Sequence, residues 1–327
     1  LEYWVQLPPE YSPDRSYPAV ITLHGAGASA KMQAGWWGPQ AGRHGYIVLA
    51  PEYTKPNQRL YDYSDAAHKA VLGTLFDARR RFSIDSDRVF LSGYSMGGDA
   101  AWDIGLAHPD LFAGLVPIVG ICEKISAIYW QNAEHLPIYL VGGEKDRDAP
   151  KRNGVHLDRM MDHGFPVTYS EYIGRGHEDF YEEIHNLFEW MTRQRRVHHP
   201  EQFACRSVRP GDNRFYWAEV EDIPAISTIP PGRLTEPARR HRWLRPLVIE
   251  GKLGATNSVS VSGGTTRMQI WLAPDMVDFD REVDVYVNGR PVRTAVTPSL
   301  GVLLEDFRTR GDRQKLYWVK VVADRRR

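Results

Sequence analysis

The sequence predicts an α/β fold, with a mostly parallel sheet covered by helices on both faces, followed by an all-β, sandwich-like domain. Short, continuously apolar runs alternate with helical patterns over the first 195 or so residues, which is typical of a buried parallel sheet. Beyond about residue 213 only strand-like patterns recur. The length of 327 residues also favours two domains. We therefore predict a catalytic domain over residues 1–196, a linker over 197–212 and a β-rich accessory domain over 213–327.

The first domain is expected to begin with an edge strand near Glu2–Leu7. Ser64 is a typical N-cap before a helix with one apolar face, and Gly164 is a candidate left-handed cap after a helix near residues 154–163. Further helices are predicted over residues 97–107 and from Phe180 to Met191. The apolar runs that predict the other strands are residues 17–23, 46–50, 88–91, 113–119, 138–141 and 167–172.

The second domain is predicted from strand-like runs separated by turn residues. Asn288-Gly289 lies between two of them and is a strong type I′ hairpin signal. The preceding segment, 197–212, carries proline, glycine and charge without visible periodicity, which indicates a linker. The predicted strands are residues 214–220, 258–261, 267–272, 283–287, 292–295 and 316–322.

The composition excludes several classes of protein. The 41 basic and 41 acidic residues balance, so nothing indicates a nucleic-acid surface or a polybasic membrane anchor. The longest apolar runs, such as residues 115–121, are too short to span a bilayer, and we expect a soluble chain. Two cysteines set no disulfide framework. The compartment stays open, and one interpretation is a secreted or periplasmic protein whose sequence starts upstream of Leu1.

The motif Gly93-Tyr94-Ser95-Met96-Gly97 is the centre of the predicted chemistry. An apolar strand leads into it and a helical pattern leads out. Flanking glycines permit a tight strand-to-helix turn that exposes a serine hydroxyl, the arrangement called a nucleophile elbow. We therefore expect Ser95 to be a nucleophile.

A serine nucleophile needs a base, and the base needs a carboxylate to orient it. His177 lies in a glycine-rich loop after the strand 167–172, and Asp146 lies in the loop after the strand 138–141. This chain order of nucleophile, acid and histidine fits the serine hydrolases of this topology. Asp148 and Glu144 remain alternatives for the acid.

An oxyanion-binding loop is expected after the strand 17–23, at His24-Gly25-Ala26-Gly27. Small residues allow backbone N–H groups to approach a developing negative charge. The N–H of Met96, directly after the nucleophile, is the expected second donor.

Six segments resemble the esterase and depolymerase branch of the α/β-hydrolases, which includes polyhydroxybutyrate-depolymerase-like, feruloyl and acetyl-xylan esterases. The prolyl-oligopeptidase catalytic domain is also similar. The resemblance covers about residues 3–195. It is carried by LHGAG, APEY, DARRRFSIDSDRVFLSGYSMGG, HPDLFAG, VGGEKDRDAP and GRGHEDF.

This resemblance implies an α/β-hydrolase fold with Ser95 as nucleophile, Asp146 as acid and His177 as base. It implies Ala26 and Met96 as oxyanion donors. The chain departs from the fullest version of the fold because the first strands are absent or lie upstream. The β-rich domain has no counterpart to which we can assign a function.

The substrate is expected to be an ester on a bulky or polymeric carbohydrate or phenolic group. About 50 residues separate Ser95 from Asp146 and about 30 separate Asp146 from His177, which leaves no room for a large helical cap. Aromatic residues in loops near the site are candidates for substrate binding, with packing as the alternative. These candidates are Trp36, Trp37, Tyr53 and Tyr94, with Tyr129 and Trp130 beside them.

The sequence thus predicts a serine carboxylic ester hydrolase that needs no cofactor and no metal. A serine peptidase of prolyl-oligopeptidase type is the first alternative, because it uses the same catalytic parts. A non-catalytic protein that binds a glycan or a partner on a hydrolase scaffold is the second. The oligomeric state is not determined by the sequence.

Overall fold

The computed structural model describes residues 1–324 and separates them into two compact units. The first unit comprises Leu1–Val197 together with Leu234–Ala238. The second comprises His198–Arg233 and the described residues from Arg239 onward. Each unit has its own buried apolar cluster.

A seven-stranded sheet forms the centre of the first unit, in the order β1-β3-β2-β4-β5-β6-β7. β1 is an antiparallel edge strand, as predicted, and the remaining strands are parallel. The predicted α/β class is therefore confirmed for this unit. The strands are β1 Tyr3–Gln6, β2 Tyr17–Leu23, β3 Ile47–Pro51, β4 Ile84–Tyr94, β5 Gly114–Ile118, β6 Ile138–Gly143 and β7 Val167–Tyr172.

Helices cover both faces of this sheet. Val116 belongs to a buried cluster that contains residues of α1 and α5, whereas the adjacent Leu115 packs on α3 at Gly105. Successive residues of a strand point to opposite faces, so these helices lie on opposite sides of the sheet. The helices are α1 Ala30–His44, α2 Asp65–Arg81, α3 Met96–Ala107, α4 Ala149–Asp162 and α5 Ile184–Met191.

Local signals identified most helix ends but missed α1. The hydroxyl of Ser64 accepts the N–H of Ala67 at the start of α2, and Gly164 has a left-handed φ of 73° after α4, both as predicted. α1 contains Pro39 and three glycines, which interrupt the pattern expected of a helix. Trp36 and Trp37 therefore lie on a helix, and their predicted placement in a loop is wrong.

Among its described residues, the second unit contains two sheets and one α-helix. One sheet has the order β16-β13-β10-β9 and is antiparallel, and the other has the order β15-β14-β12-β11-β8 with a parallel β12–β14 pair. Residues from both sheets share one buried cluster. The elements are β8 Gln202–Ser207, β9 Arg214–Phe215, β10 Ala218–Glu221, β11 Leu247–Gly254, β12 Ser258–Ser262, β13 Arg267–Leu272, β14 Asp284–Val287, β15 Arg290–Pro291, α6 Leu300–Arg310 and β16 Val319–Asp324.

Two expectations for this region need correction. The unit is not all-β, because α6 lies within it. The predicted linker 197–212 is wrong for residues 202–207, which form β8 and pair with β11. Phe203, Cys205 and Ser207 alternate inward on β8, a period of two that the flanking charged residues obscure. The hairpin at Asn288-Gly289 is present between β14 and β15, with both residues at positive φ.

No helix among residues 1–324 combines the length and the apolar character needed to cross a lipid bilayer.

The turn between β4 and α3 is built from glycines that leave no space for a side chain. A Cβ on Gly93 would lie 1.9 Å from the carbonyl oxygen of Gly97. A Cβ on Gly97 would lie 2.2 Å from the carbonyl oxygen of Leu23 at the end of β2. A Cβ on Gly98 would lie 2.7 Å from Cα of Gly120, after β5. The backbone segments at this end of the sheet are therefore in direct contact.

Gly97→Ala should destabilise the first unit by at least about 1–3 kcal/mol, because the clash is with backbone that cannot move independently. Gly154→Ala, in α4, is the matched control, since a Cβ there meets nothing within 4 Å. The control should be neutral or stabilising by up to about 1 kcal/mol. Urea unfolding followed by circular dichroism measures both. Equal stability of the two variants would contradict this view of the turn.

Candidate active site

Ser95 lies at the turn after β4 in a strained backbone conformation. Its φ of 55° and ψ of −116° fall outside the regions favoured by non-glycine residues. Such a conformation costs about 1–3 kcal/mol and persists only where the surrounding structure enforces it. The Ser95 N–H donates to the carbonyl of Ile118 at 2.9 Å, which fixes the turn to the end of β5.

Ser95, His177 and Asp146 form a continuous chain of hydrogen bonds. The Oγ of Ser95 lies 2.8 Å from Nε2 of His177, and Nδ1 of His177 lies 2.9 Å from Oδ2 of Asp146. The Asp146 side chain is only 5% exposed, whereas that of His177 is 42% exposed. A buried carboxylate thus orients an imidazole that remains open to solvent on one side. The structure brings together the three residues that the sequence singled out.

The two alternative carboxylates lie elsewhere. The side chain of Asp148 is 62% exposed and pairs with Nε of Arg152 at 2.8 Å. Oε2 of Glu144 accepts the backbone N–H of Gly174 at 2.7 Å. Asp146 is therefore the carboxylate that contacts His177, and Glu144 supports the loop that carries this histidine.

The loops after β6 and β7 are joined to each other through backbone atoms. The N–H of Lys145 donates to the carbonyl of Arg175 at 2.7 Å. A Cβ on Gly143 would lie 2.4 Å from the carbonyl oxygen of Gly176, so only glycine permits this approach. Together with the bond from Gly174 to Glu144, these contacts hold Asp146 and His177 in a fixed relation. Sequence reasoning missed this support, although the repeated glycines were its signal.

The loop after β2 adjoins the turn that carries Ser95. His24 is buried, its carbonyl accepts the hydroxyl of Tyr53 at 2.7 Å, and a Cβ on Gly97 would lie 2.9 Å from the same carbonyl oxygen. Ala26 follows in the exposed part of the loop. Met96 is the first residue of α3, and the N–H of a first helical residue has no acceptor within its helix.

Two of the aromatic residues predicted to bind substrate are buried instead. Trp37 is fully buried and packs edge-on against Phe188. Tyr53 is buried and supports His24 through its hydroxyl. Their predicted contact with substrate is wrong because neither ring reaches the surface. Tyr129 is also buried, and Trp130 packs against His163 and Phe165.

The remaining two predicted residues, Trp36 and Tyr94, form a partly exposed surface together with Tyr181. We call these three residues the aromatic face. The ring of Tyr94 lies 5.9 Å from that of His177 and 5.4 Å from that of Trp36. Trp36 stacks on Tyr181 at 6.3 Å, and Tyr181 is 40% exposed. The ring of Tyr94 therefore lies beside His177. Sequence reasoning missed Tyr181, whose only signal was its position four residues after His177.

The electrostatics keep the Tyr94 hydroxyl protonated. Burial raises the pKa of Tyr94 above its usual value, and the negative charges of Asp179, Asp146 and Glu178 add to the effect. A neutral phenol beside His177 can donate or accept a hydrogen bond without competing for the role of base.

The chain matches the model of the Esterase family over residues 2–220. It belongs to this family of α/β-hydrolases. Among curated proteins, this esterase-family chain is 30% identical over 132 residues to the poly(3-hydroxybutyrate) depolymerase of Ralstonia pickettii, covering 35% of this chain and 27% of the depolymerase. It is 27% identical over 130 residues to dipeptidyl-peptidase 5 of Porphyromonas gingivalis, covering 36% of this chain and 19% of the peptidase. The matches thus span about a quarter or less of these relatives.

Solved structures include esterases with a similar fold. A thermostable esterase superposes on this chain with a TM-score of 0.52 and 25% identity, covering 59% of each chain. A ferulic acid esterase superposes with a TM-score of 0.51 and 17% identity, covering 58% of this chain and 91% of that esterase. The second likeness concerns the fold alone.

Asp146→Asn should lower ester turnover by orders of magnitude, because an amide at this position favours the wrong tautomer of His177. Asp148→Asn is the matched control two residues away and should leave turnover within about twofold, since surface ion pairs contribute little. The kcat for a p-nitrophenyl ester measures both variants. A larger loss in Asp148→Asn than in Asp146→Asn would contradict the arrangement described here.

Proposed function

We propose that this protein is a serine carboxylic ester hydrolase that acts through an acyl-enzyme intermediate. The observation that carries the proposal is the alignment of strained Ser95 with His177 at 2.8 Å and of His177 with buried Asp146 at 2.9 Å. Serine is a weak nucleophile without such a base. Membership of the Esterase family supports an ester as the substrate.

In the proposed mechanism, Nε2 of His177 takes the proton of Ser95 while Oγ attacks the ester carbonyl carbon. The C=O π bond breaks and its electrons move to the carbonyl oxygen, which becomes an oxyanion. Collapse of this intermediate re-forms the carbonyl and breaks the bond to the leaving alcohol, which receives the proton from His177. Water, deprotonated by His177, then attacks the acyl group, and the acid leaves as Ser95 regains its proton.

The oxyanion is expected to bind the backbone N–H groups of Met96 and Ala26. The N-terminus of α3 carries a partial positive charge, which favours a developing anion at Met96. One donor of this kind contributes about 2.7–4 kcal/mol to stabilisation of the transition state. Asp146 stabilises the imidazolium that forms on His177 at the same time.

We propose further that the aromatic face binds the leaving group of a bulky substrate, such as a sugar or phenolic alcohol. His177 delivers a proton to the leaving oxygen in the mechanism, and Tyr94 adjoins the His177 ring. Trp36 and Tyr181 extend the surface outward from Tyr94. Aromatic rings stack on flat apolar faces, which both sugars and phenolic rings present.

Ser95→Ala should retain the fold and lose at least about three orders of magnitude in kcat, because the covalent step is removed. Turnover of p-nitrophenyl acetate tests the loss, and circular dichroism tests the fold. Retention of more than about a tenth of the wild-type kcat would exclude Ser95 as the nucleophile. An inactive wild-type protein that binds a glycan would favour the non-catalytic alternative.

A peptidase activity is the second candidate, because part of the chain is similar to dipeptidyl-peptidase 5. Dipeptidyl p-nitroanilides set against acetylated and feruloylated sugars distinguish the two. We expect the esters to give the higher kcat/KM. A higher value for the peptide amides would replace the esterase proposal.

Trp36→Ala should lower kcat/KM for esters of aromatic or sugar alcohols about three- to tenfold, because stacking at the leaving group is lost. The reference substrate is ethyl acetate, because its leaving alcohol has no ring that could stack. p-Nitrophenyl acetate is unsuitable as a reference because its leaving group is aromatic. The kcat/KM for ethyl acetate should change little. Trp4→Ala is the control, since Trp4 is an exposed tryptophan, at 43%, on edge strand β1 and is not part of the aromatic face. Equal losses for both ester types would remove the aromatic face from substrate binding.

A further inference from the structure

A cluster of potential metal ligands lies where the end of α1 meets α5. His44 is the last residue of α1, and His185 and Glu189 lie one turn apart on α5. Nε2 of His44 lies 3.4 Å from Nδ1 of His185. One ligand atom from each of the three residues lies within 4.8 Å of the other two. None of these residues takes part in the proposed mechanism.

The spacing of the two imidazole nitrogens fits a tetrahedral metal ion. With metal–nitrogen bonds of about 2.0–2.1 Å, two ligands of a tetrahedral ion lie about 3.3–3.4 Å apart. We propose that His44, His185 and Glu189 bind a divalent transition-metal ion such as Zn²⁺, with water as the fourth ligand. A set of two histidines and one carboxylate is an established choice for this ion.

Neighbouring groups restrict the orientation of His44 and affect the binding of a cation. The ring of His44 stacks on that of buried Phe188, with the ring centroids 4.9 Å apart and the ring planes inclined by 7°. This stacking restricts the orientation of the imidazole. The C-terminus of α1 also favours a cation. Arg43 opposes it by charge repulsion, and the carboxylate of Glu189 offsets that repulsion.

Binding requires only a change of tautomer. Without an ion, one of the facing nitrogens donates its hydrogen to the other. In the metal-bound state both facing nitrogens give their lone pairs to the ion, and each neutral ring carries its hydrogen on the opposite nitrogen. No oxidation state changes. The ion then links α1 to α5, and it stabilises the folded chain because the unfolded chain lacks the assembled ligands.

Titration of the full chain with ZnCl₂ by isothermal calorimetry tests the proposal, with any purification tag removed. We expect one ion per chain at this site and a thermal unfolding midpoint that rises with zinc concentration. His185→Ala and Glu189→Gln change exposed side chains, so both variants should fold. Each should weaken binding at this site, His185→Ala by at least about tenfold. His163→Ala, which changes an exposed histidine beside α4, is the control and should bind as the wild type does.

Co²⁺ provides a second readout, because a tetrahedral Co²⁺ site absorbs strongly in the visible range. Wild type and His163→Ala should give this spectrum, and His185→Ala should lose it. No zinc binding by the wild type up to about 1 mM would overturn the proposal. So would zinc binding that His185→Ala and Glu189→Gln leave unchanged, because the ion would then occupy another site. None of these measurements depends on ester turnover. The metal-site proposal is therefore tested independently of the proposed esterase activity.

Discussion

The close backbone contact at the turn after β4 is the constraint on which the rest of the site depends. Gly97 and Gly98 bring this turn against the chain at the ends of β2 and β5, and Gly93 contacts Gly97 within the turn, all at distances that exclude any Cβ. That contact enforces the strained backbone of Ser95 and adjoins the start of the loop that carries Ala26. The proposed nucleophile and the expected oxyanion donors are thus positioned by main-chain packing, which side-chain motion affects little.

The electrostatic part of the site follows from which side chains are buried. Asp146 is withdrawn from water and has His177 as its partner, while one side of the imidazole remains exposed. A hydrogen bond from the imidazole to a carboxylate withdrawn from water is stronger than the same bond formed in solvent. Asp148, two residues away, lies in solvent and pairs with a surface arginine. Their positions in the sequence do not show which of Asp146 and Asp148 contacts His177, whereas their burial in the structure differs clearly.

The parallel sheet and the nucleophile turn could be predicted because their signals are local. The apolar run of β2 indicates a buried strand, and the glycines around Ser95 indicate a close approach of backbone segments. Other features depend on partners distant in sequence. α1 carries Pro39 yet forms a helix because its buried face, including Trp37, packs against α5. β8 escaped detection because its period of two is short and includes the inward Ser207, and its partner β11 lies about 40 residues later. No local pattern could have shown which aromatic rings are buried.

The bond between Glu144 and the N–H of Gly174 has a consequence for how the site moves. With the backbone bond from Lys145 to Arg175, it couples the two loops that carry the proposed acid and base. Thermal motion of these loops is therefore expected to displace Asp146 and His177 as a pair. Ser95 belongs to a different rigid segment, held by the glycine contacts at β2 and β5. The hydrogen bond between His177 and Ser95 is a side-chain link between these two segments, and we expect thermal fluctuation to break it before the backbone contacts within either segment.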